Sequence, residues 1–167
     1  MEEVTRTLDL GCGSIPKNPL EADEVYGVDI DSYGNENIHV ADIILEGIPF
    51  EDNYFDYVTA YDFLEHLPRI LYIDGKRSAP FIDTMSEIWR VLKPGGTFKA
   101  HTPAVPYSAT FQDPTHVNFI TEATVMYFTD WADPSNGYGF TGKFQLMDQR
   151  WDKEVPYHLV WELSAVK

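Results

Sequence analysis

The feature that most constrains this chain is a glycine turn that follows its first apolar run and leads into two prolines. Residues 7–10 form that run, Gly11-Cys12-Gly13 form the turn, and Pro16 and Pro19 come next. Glycines let a backbone adopt positive φ and pass close to a ligand. Dinucleotide-binding loops add a third glycine and a helix that binds pyrophosphate, whereas prolines argue against a long helix here. The turn therefore favours a ligand without a pyrophosphate.

A second apolar run ends in acidic residues, about 18 residues beyond the first glycine. Asp29 and Asp31 lie at its end, where a carboxylate can accept hydrogen bonds from two ribose hydroxyls. The alternative for so short a pattern is a plain tight turn followed by solvated aspartates. The pairing of the turn with Asp29 favours the nucleoside site.

The remaining runs predict an α/β fold. Short segments of apolar, β-branched and aromatic residues between turn residues predict strands at 7–10, 25–30, 38–41, 55–60, 97–101, 143–151 and 157–166. We expect an open, doubly wound, mostly parallel seven-stranded sheet of the Rossmann-like type, with an antiparallel C-terminal hairpin. The whole of 1–167 is predicted to be one domain with a long loop at about 102–120.

Three helices are predicted from periodicity and end signals. The clearest begins at Pro80, carries an apolar stripe at spacings of three and four, and ends before Pro94-Gly95-Gly96. A second helix is expected at 62–67, ending at Pro68. A third is expected to start at Thr121, with that residue as its cap.

Several segments in this order resemble the motifs of class I S-adenosylmethionine-dependent methyltransferases, of the methyltransferase type 11-like, small-molecule group. They are LDLGCG at 8–13, VYGVDID at 25–31, Ala41-Asp42-Ile43, the stretch from Phe55 to Leu67, and RVLKPGG at 90–96. The resemblance covers most of the chain. It implies S-adenosylmethionine as the cofactor and methyl transfer to a small-molecule acceptor as the reaction.

The resemblance also implies which residues hold the cofactor. The glycine motif would wrap the methionine part and the ribose, the acid after the second strand would bind the ribose, and Asp42 would meet the adenine amino group. The full set of expected cofactor-binding residues is Asp9, Gly11, Cys12, Gly13, Asp29, Ile30, Asp42, Ile43, Tyr61 and His66.

Two departures from the family pattern affect how the site is covered. The chain begins almost at its first strand, without the helices that usually precede it, and SIPKNP at 14–19 stands where the family has a helix. A homodimer partner could supply the cover, and the loop at 102–120 is the candidate lid.

Candidates for the proton acceptor follow the fourth and fifth strands. His116 and Asp113 could form an oriented pair with His116 as the general base, and His101 is a further candidate. The alternatives are that Asp113 and His116 only organise the loop, and that His101 is a hydrogen-bonded strand-end residue. His, Cys and carboxylate residues never occur at metal-ligand spacing, so no metal site is predicted.

The charge excludes some partners. The formal net charge of −15 lacks the basic footprint that nucleic acid or an anionic membrane needs. No apolar run is long enough to span a bilayer. The one cysteine, Cys12, and an N-terminus without signal-peptide features favour a cytoplasmic protein.

Two other functions remain open from the sequence. The chain could be a non-catalytic S-adenosylmethionine-binding module or partner subunit of another protein. A nicotinamide-dependent oxidoreductase on a similar sheet is the less favoured reading, because the third glycine is missing.

Overall fold

The protein is represented by a computed structural model that describes residues 3–133, 135 and 139–167. The strands within that part are β1 (Arg6–Leu10), β2 (Glu24–Asp29), β3 (Ile38–Val40), β4 (Phe55–Tyr61), β5 (Leu71–Ile73), β6 (Lys76–Ser78), β7 (Leu92–Pro103), β8 (Phe144–Trp151) and β9 (His158–Ala165). The helices are α1 (Ile43–Glu46), α2 (Pro80–Val91) and 3-10 turns at Leu64–His66, Ser108–Phe111 and Thr124–Tyr127. Within the described residues, no helix has the length and apolar character needed to cross a membrane.

Among the described residues, seven strands form one sheet in the order β3-β2-β1-β4-β7-β9-β8. The pairs from β3 to β7 are parallel, and β9 lies antiparallel between β7 and β8. This confirms the predicted sheet and its C-terminal hairpin. The strand order reverses between β1 and β4, so a crevice opens at the carboxyl ends of these strands, where ligands of such sheets bind.

The helix predicted from Pro80 is confirmed. Pro80 occupies the first turn of α2. The predicted apolar stripe consists of Ile82, Met85, Trp89 and Leu92. The buried face instead centres on Phe81, Met85 and Ile88, and Ile82 and Trp89 are only partly buried. A helix that buries one apolar face gains most of its stability from that packing. Leu92 ends α2 in an extended conformation and begins β7 directly.

The other two predicted helices are wrong in extent. Only the 3-10 turn Leu64–His66 forms after β4, because Pro68 removes the next backbone donor. At the start predicted for the third helix, the described residues form the 3-10 turn Thr124–Tyr127, and Ala123 precedes it without a side-chain cap. The hydroxyl of Thr124 instead accepts from the Thr121 backbone N–H at 2.9 Å. The side-chain hydrogen bond at this turn is therefore made by Thr124 and not by the predicted cap, Thr121.

Two short elements were not predicted from the sequence patterns. The hairpin β5–β6 turns at Asp74 and Gly75, both with positive φ. Helix α1 begins after Asp42, whose Oδ1 accepts from Ile44 N at 3.0 Å. Each has too few residues to show a periodic apolar pattern.

The guanidinium of Arg90 on α2 braces the connection that leads into β4. It donates to the carbonyls of Ile48 at 2.9 Å and Phe50 at 2.8 Å, and to the carboxylates of Asp52 and Glu87. A planar group with five donors can reach all four acceptors at once, which an ammonium group cannot.

Arg90→Lys should therefore lower the free energy of unfolding by about 1–3 kcal/mol, because carbonyls of Ile48 and Phe50 lose their partners. Urea unfolding of the variant measures this loss. Arg77→Lys, on the exposed part of β6, is the matched control. A loss no larger than that of the control would contradict the bracing role.

Candidate functional site

A crevice of about 340 Å³ lies at the carboxyl ends of β1, β2, β3 and β4. Part of the predicted cofactor-binding set lines it: Gly11, Asp29, Ile30, Asp42, Ile43 and His66. Asp62 and Phe63, which follow β4, complete the wall on the other side. Cys12, Gly13, Asp9 and Tyr61 lie around the crevice rather than on its lining.

Asp29 joins the glycine turn to the end of β2. Its Oδ2 accepts from Gly13 N at 2.8 Å and its Oδ1 from Ile30 N at 2.7 Å. Gly11 and Gly13 have φ of 62° and 59°, a conformation that glycine adopts without strain. A Cβ on Gly11 would also lie 2.5 Å from the ring of Phe63. The turn thus needs glycine at 11 both for its conformation and for space.

Asp9 lies beneath the turn and supports it. The carboxylate is 1% exposed, accepts from Thr59 Oγ1 at 2.7 Å and accepts from Lys17 N at 2.8 Å. Burial raises the pKa of this carboxyl, while the two hydrogen bonds act in the opposite direction. Asp9 therefore fixes the proline-containing segment at 14–19, which is not helical, against β1 and β4.

Cys12 packs inward, below the same turn. Its side chain is buried, and a Cβ on Gly27 of β2 would lie 2.5 Å from Sγ and 2.7 Å from Cγ of Pro16. Burial raises the pKa of the Cys12 thiol to about 11. The side chain fills space between β2 and the proline segment, so any contact of Cys12 with a ligand would come from its backbone.

The opposite wall of the crevice combines apolar and acidic groups. Ile30 is 76% exposed at the mouth, whereas Ile43 is buried. Asp42 lines the crevice and caps α1 through its Oδ1. This is the type of surface that suits a flat, partly apolar ring with polar edges.

A group of four ionisable side chains lies beyond the ends of β4 and β7, and we refer to it as the β7-edge cluster: Asp62, His101, Asp152 and His158. Asp62 Oδ1 lies 2.6 Å from His158 Nε2, and His101 Nε2 lies 3.4 Å from Asp152 Oδ2. The two imidazole rings stack with centroids 4.3 Å apart. Burial lowers the pKa of His101, so this ring favours its neutral form. Tyr61 packs beside it, with ring centroids 5.4 Å apart.

Sequence reasoning selected only His101 from this cluster. His158 comes from β9, which returns antiparallel to β7 and pairs with Pro103. It is 96 residues from Asp62 in the chain, so no local spacing signals the contact. The turn residues Asp152 and Asp62 likewise approach the two histidines only because the folded sheet brings the ends of different strands together. The positive φ of 50° at Asp62, rare for a non-glycine residue, marks a strained position at this edge.

The predicted pairing of Asp113 with His116 is wrong. Asp113 Oδ1 accepts from the backbone N–H and the hydroxyl of Thr115, at 2.7 Å and 2.6 Å. His116 Nδ1 instead lies 3.1 Å from the carbonyl oxygen of Thr110. The carboxylate of Asp113 therefore bonds to the nearby Thr115 rather than to His116. This agrees with the alternative that Asp113 only organises the loop.

His116 meets two other ionisable residues. Glu65, His66 and His116 each place a candidate ligand atom within 4.8 Å of the others. Glu65 is 0% exposed, and burial raises the pKa of its carboxyl to about 7. The described residues contain one more such group, formed by Asp62, His101 and His158. Both groups join distant parts of the chain, which explains why ligand spacing in the sequence did not reveal them.

Comparison with protein families gives one match. The model of a family described as "Methyltransferase domain" matches residues 8–100, which includes the glycine turn, Asp29, Asp42 and the segment after β4. A curated relative, sterol 24-C-methyltransferase erg6 of Schizosaccharomyces pombe, is 30% identical over 112 residues. That alignment covers 56% of this chain but only 26% of the relative.

Solved structures share the fold at low sequence identity. A putative methyltransferase complexed with the Trm112 activator of Haloferax volcanii has a TM-score of 0.62 and 16% identity, over 99% of this chain and 84% of that one. A SAM dependent methyltransferase from Archaeoglobus fulgidus has a TM-score of 0.57 and 19% identity, over 96% and 86%. Phosphoethanolamine N-methyltransferase 2 of Haemonchus contortus has a TM-score of 0.58 and 18% identity, over 100% of this chain and 49% of that one.

The inward packing of Cys12 predicts slow alkylation of the native protein. At pH 8, iodoacetamide should react roughly 100-fold more slowly than with the urea-unfolded chain, because the buried thiol forms little thiolate. The native rate should keep rising with pH above the point where the unfolded rate levels off, since the folded thiol has the higher pKa. Mass spectrometry measures the extent of labelling over time. Rapid labelling of the native protein would show that the turn does not enclose Cys12.

Proposed function

This chain belongs to the S-adenosylmethionine-dependent methyltransferases of class I, type 11-like, and we propose that it methylates a small molecule held beside the β7-edge cluster. Membership of this family confirms the prediction of a methyltransferase rather than an oxidoreductase. The acceptor, the residues that bind cofactor and the residue that takes the proton are parts of the proposal.

The observation that carries the cofactor assignment is the position of Asp29. Its carboxylate lines the crevice while each oxygen accepts one backbone N–H. A carboxylate has about four lone-pair sites, so both oxygens can still accept from ribose hydroxyls. The segment after the glycine turn is not a helix, so no helix begins at the turn to bind a phosphate there. These features fit a nucleoside cofactor without a phosphate.

The other walls support the same placement. Gly11 gives room for the methionine part near Phe63, and Asp42 with Ile43 provides an acidic and an apolar contact for adenine. Gly13 and Cys12 contribute the backbone of the turn, and Asp9 fixes it from below. His66 lines the crevice and contacts Thr115 of the long loop, and Tyr61 packs beside His101.

Bound there, the sulfonium cofactor supplies an already activated methyl group, and the protein has to position the nucleophile and remove its proton. We propose that His101 accepts the proton of the nucleophile. Its lowered pKa keeps the ring neutral. Asp152, 3.4 Å from its Nε2, would stabilise the ring once it is charged. Full turnover by His101→Gln, with cofactor affinity unchanged, would remove His101 from the reaction.

Surface properties favour a small acceptor with a protic group and an apolar part. The net charge of −15 opposes binding to nucleic acid. Phe111 and Phe119 on the long loop are exposed and pack with ring centroids 4.9 Å apart. Tyr107 on the same loop is exposed and packs on Trp151. These rings offer an exposed apolar surface on the long loop.

Asp29→Asn should raise the dissociation constant of S-adenosylmethionine roughly 100-fold, because hydrogen bonds to a charged acceptor contribute about 1.5–3 kcal/mol. Isothermal titration calorimetry measures this change. Asp31→Asn is the matched control, since Asp31 is exposed and accepts from Tyr33 N rather than lining the crevice. Equal affinities for the two variants would contradict the ribose assignment.

A further inference from the structure

The Glu65–His66–His116 group lies where the long loop packs on the segment after β4. Thr102, Thr110 and Thr115 surround it, and His66 also lines the cofactor crevice. Its members come from two chain segments about fifty residues apart, as the separation of 49 residues between His66 and Thr115 shows. Cofactor binding alone does not account for the arrangement of its polar atoms.

Glu65 supplies a buried oxygen without a partner. Its Oε2 accepts from Thr102 Oγ1 at 2.9 Å. Its Oε1 is buried and has no hydrogen-bond partner among the described residues. An unsatisfied buried oxygen of an acidic group costs free energy, and a bound cation is one of the few groups that would satisfy it.

The hydrogen bonds of His66 identify Nδ1 as the ring nitrogen that donates a proton. Thr115 Oγ1 lies 3.0 Å from His66 Nδ1 and donates its single proton to Asp113 Oδ1. The hydroxyl must therefore accept from Nδ1–H of His66. A neutral ring with its proton on Nδ1 has its lone pair on Nε2, the form in which histidine binds metals.

His116 is oriented in the same way by a different acceptor. Its Nδ1 lies 3.1 Å from the carbonyl oxygen of Thr110, which can only accept. The Nδ1 of His116 is therefore the donor, and its lone pair is on Nε2. Metal-binding histidines in proteins almost always donate their other ring N–H to an oxygen in this manner.

Backbone and side-chain bonds hold the two segments together. Val117 N and Asn118 N both donate to the carbonyl oxygen of Glu65, each at 2.9 Å. The buried Asn118 donates to Leu64 O at 2.9 Å and accepts from Arg69 Nε at 2.8 Å. Residues on both sides of the group are thus fixed before any ion binds, which reduces the entropy lost on binding.

The neighbouring β7-edge cluster does not meet the same criteria. Asp62 already accepts from His158 Nε2 at 2.6 Å. The Nδ1 atoms of His101 and His158 are buried and have no hydrogen-bond partner among the described residues. A metal ion on Nε2 would place a proton on each Nδ1, where nothing described accepts it. The β7-edge cluster therefore lacks the oriented Nδ1–H groups that the Glu65–His66–His116 group has.

We propose that Glu65, His66 and His116 bind one divalent transition-metal ion, Zn²⁺ in preference to Mg²⁺ or Ca²⁺. Two imidazoles and a carboxylate form a ligand set that zinc accepts with a further position left for water, whereas the harder cations prefer oxygen ligands alone. The inference concerns binding only and does not depend on the methyl-transfer proposal. It revises the sequence-based expectation that the chain has no metal site.

The test uses the whole chain, stripped of metal with a chelator and desalted. Titration with Co²⁺ should produce visible d–d absorbance that saturates at one ion per chain, and Zn²⁺ should displace it. We expect a Zn²⁺ dissociation constant below about 1 µM for three protein ligands on a fixed scaffold. An absence of saturable absorbance would overturn the proposal.

Variants locate the ion. Glu65→Gln, which is isosteric, and His116→Asn, whose amide N–H can still donate to the Thr110 carbonyl, should weaken Co²⁺ binding at least 100-fold. Thr115→Val leaves all three ligands in place but removes the acceptor for His66, and should weaken binding about tenfold. His158→Asn, in the β7-edge cluster, is the control and should bind as wild type does.

The outcomes separate the alternatives. Loss of binding in His158→Asn with retention in Glu65→Gln would place the ion in the other cluster and overturn the proposal. Near-ultraviolet circular dichroism checks that each variant is folded. If Glu65→Gln does not fold, His116→Asn and Thr115→Val on the exposed loop decide the result. None of these readouts requires methyl transfer, so failure of the proposed function leaves them intact.

Discussion

The buried carboxylate of Asp9 is the interaction on which the rest of the site depends. It lies on β1, accepts from Thr59 on β4 and accepts from the backbone of Lys17 in the proline segment. One side chain thus connects two central strands to the proline segment. Without it, the glycine turn would lose its support from below.

The proline segment takes the place that a helix occupies in related folds, and its packing explains how. Pro16 and Cys12 fill the space above Gly27, where a Cβ would collide with both. Asp29 then holds the turn from the side of β2 through Gly13 N. The segment supports the turn by packing and supplies no helix dipole, which is consistent with a cofactor that carries no phosphate.

The strands and the position of the crevice at the carboxyl ends of β1 to β4 were predictable because their signals are local. Apolar runs between turn residues indicated the strands, and the glycine turn with Asp29 indicated the crevice. The β7-edge cluster was not predictable beyond His101, because His158 reaches Asp62 only through the antiparallel return of β9. The pairing of Asp113 with His116 failed for a local reason, since Thr115 offers the carboxylate two closer donors.

A crystal structure of the protein with S-adenosylhomocysteine tests the central claim most directly, namely that residues 9–29 form a cofactor site without a helix. The account predicts ribose hydroxyls donating to the carboxylate of Asp29, adenine beside Asp42 and Ile43, and an intact bond from Lys17 N to Asp9. A ligand bound elsewhere would contradict the account. So would a rearrangement of the proline segment that breaks the Lys17–Asp9 bond when the ligand binds.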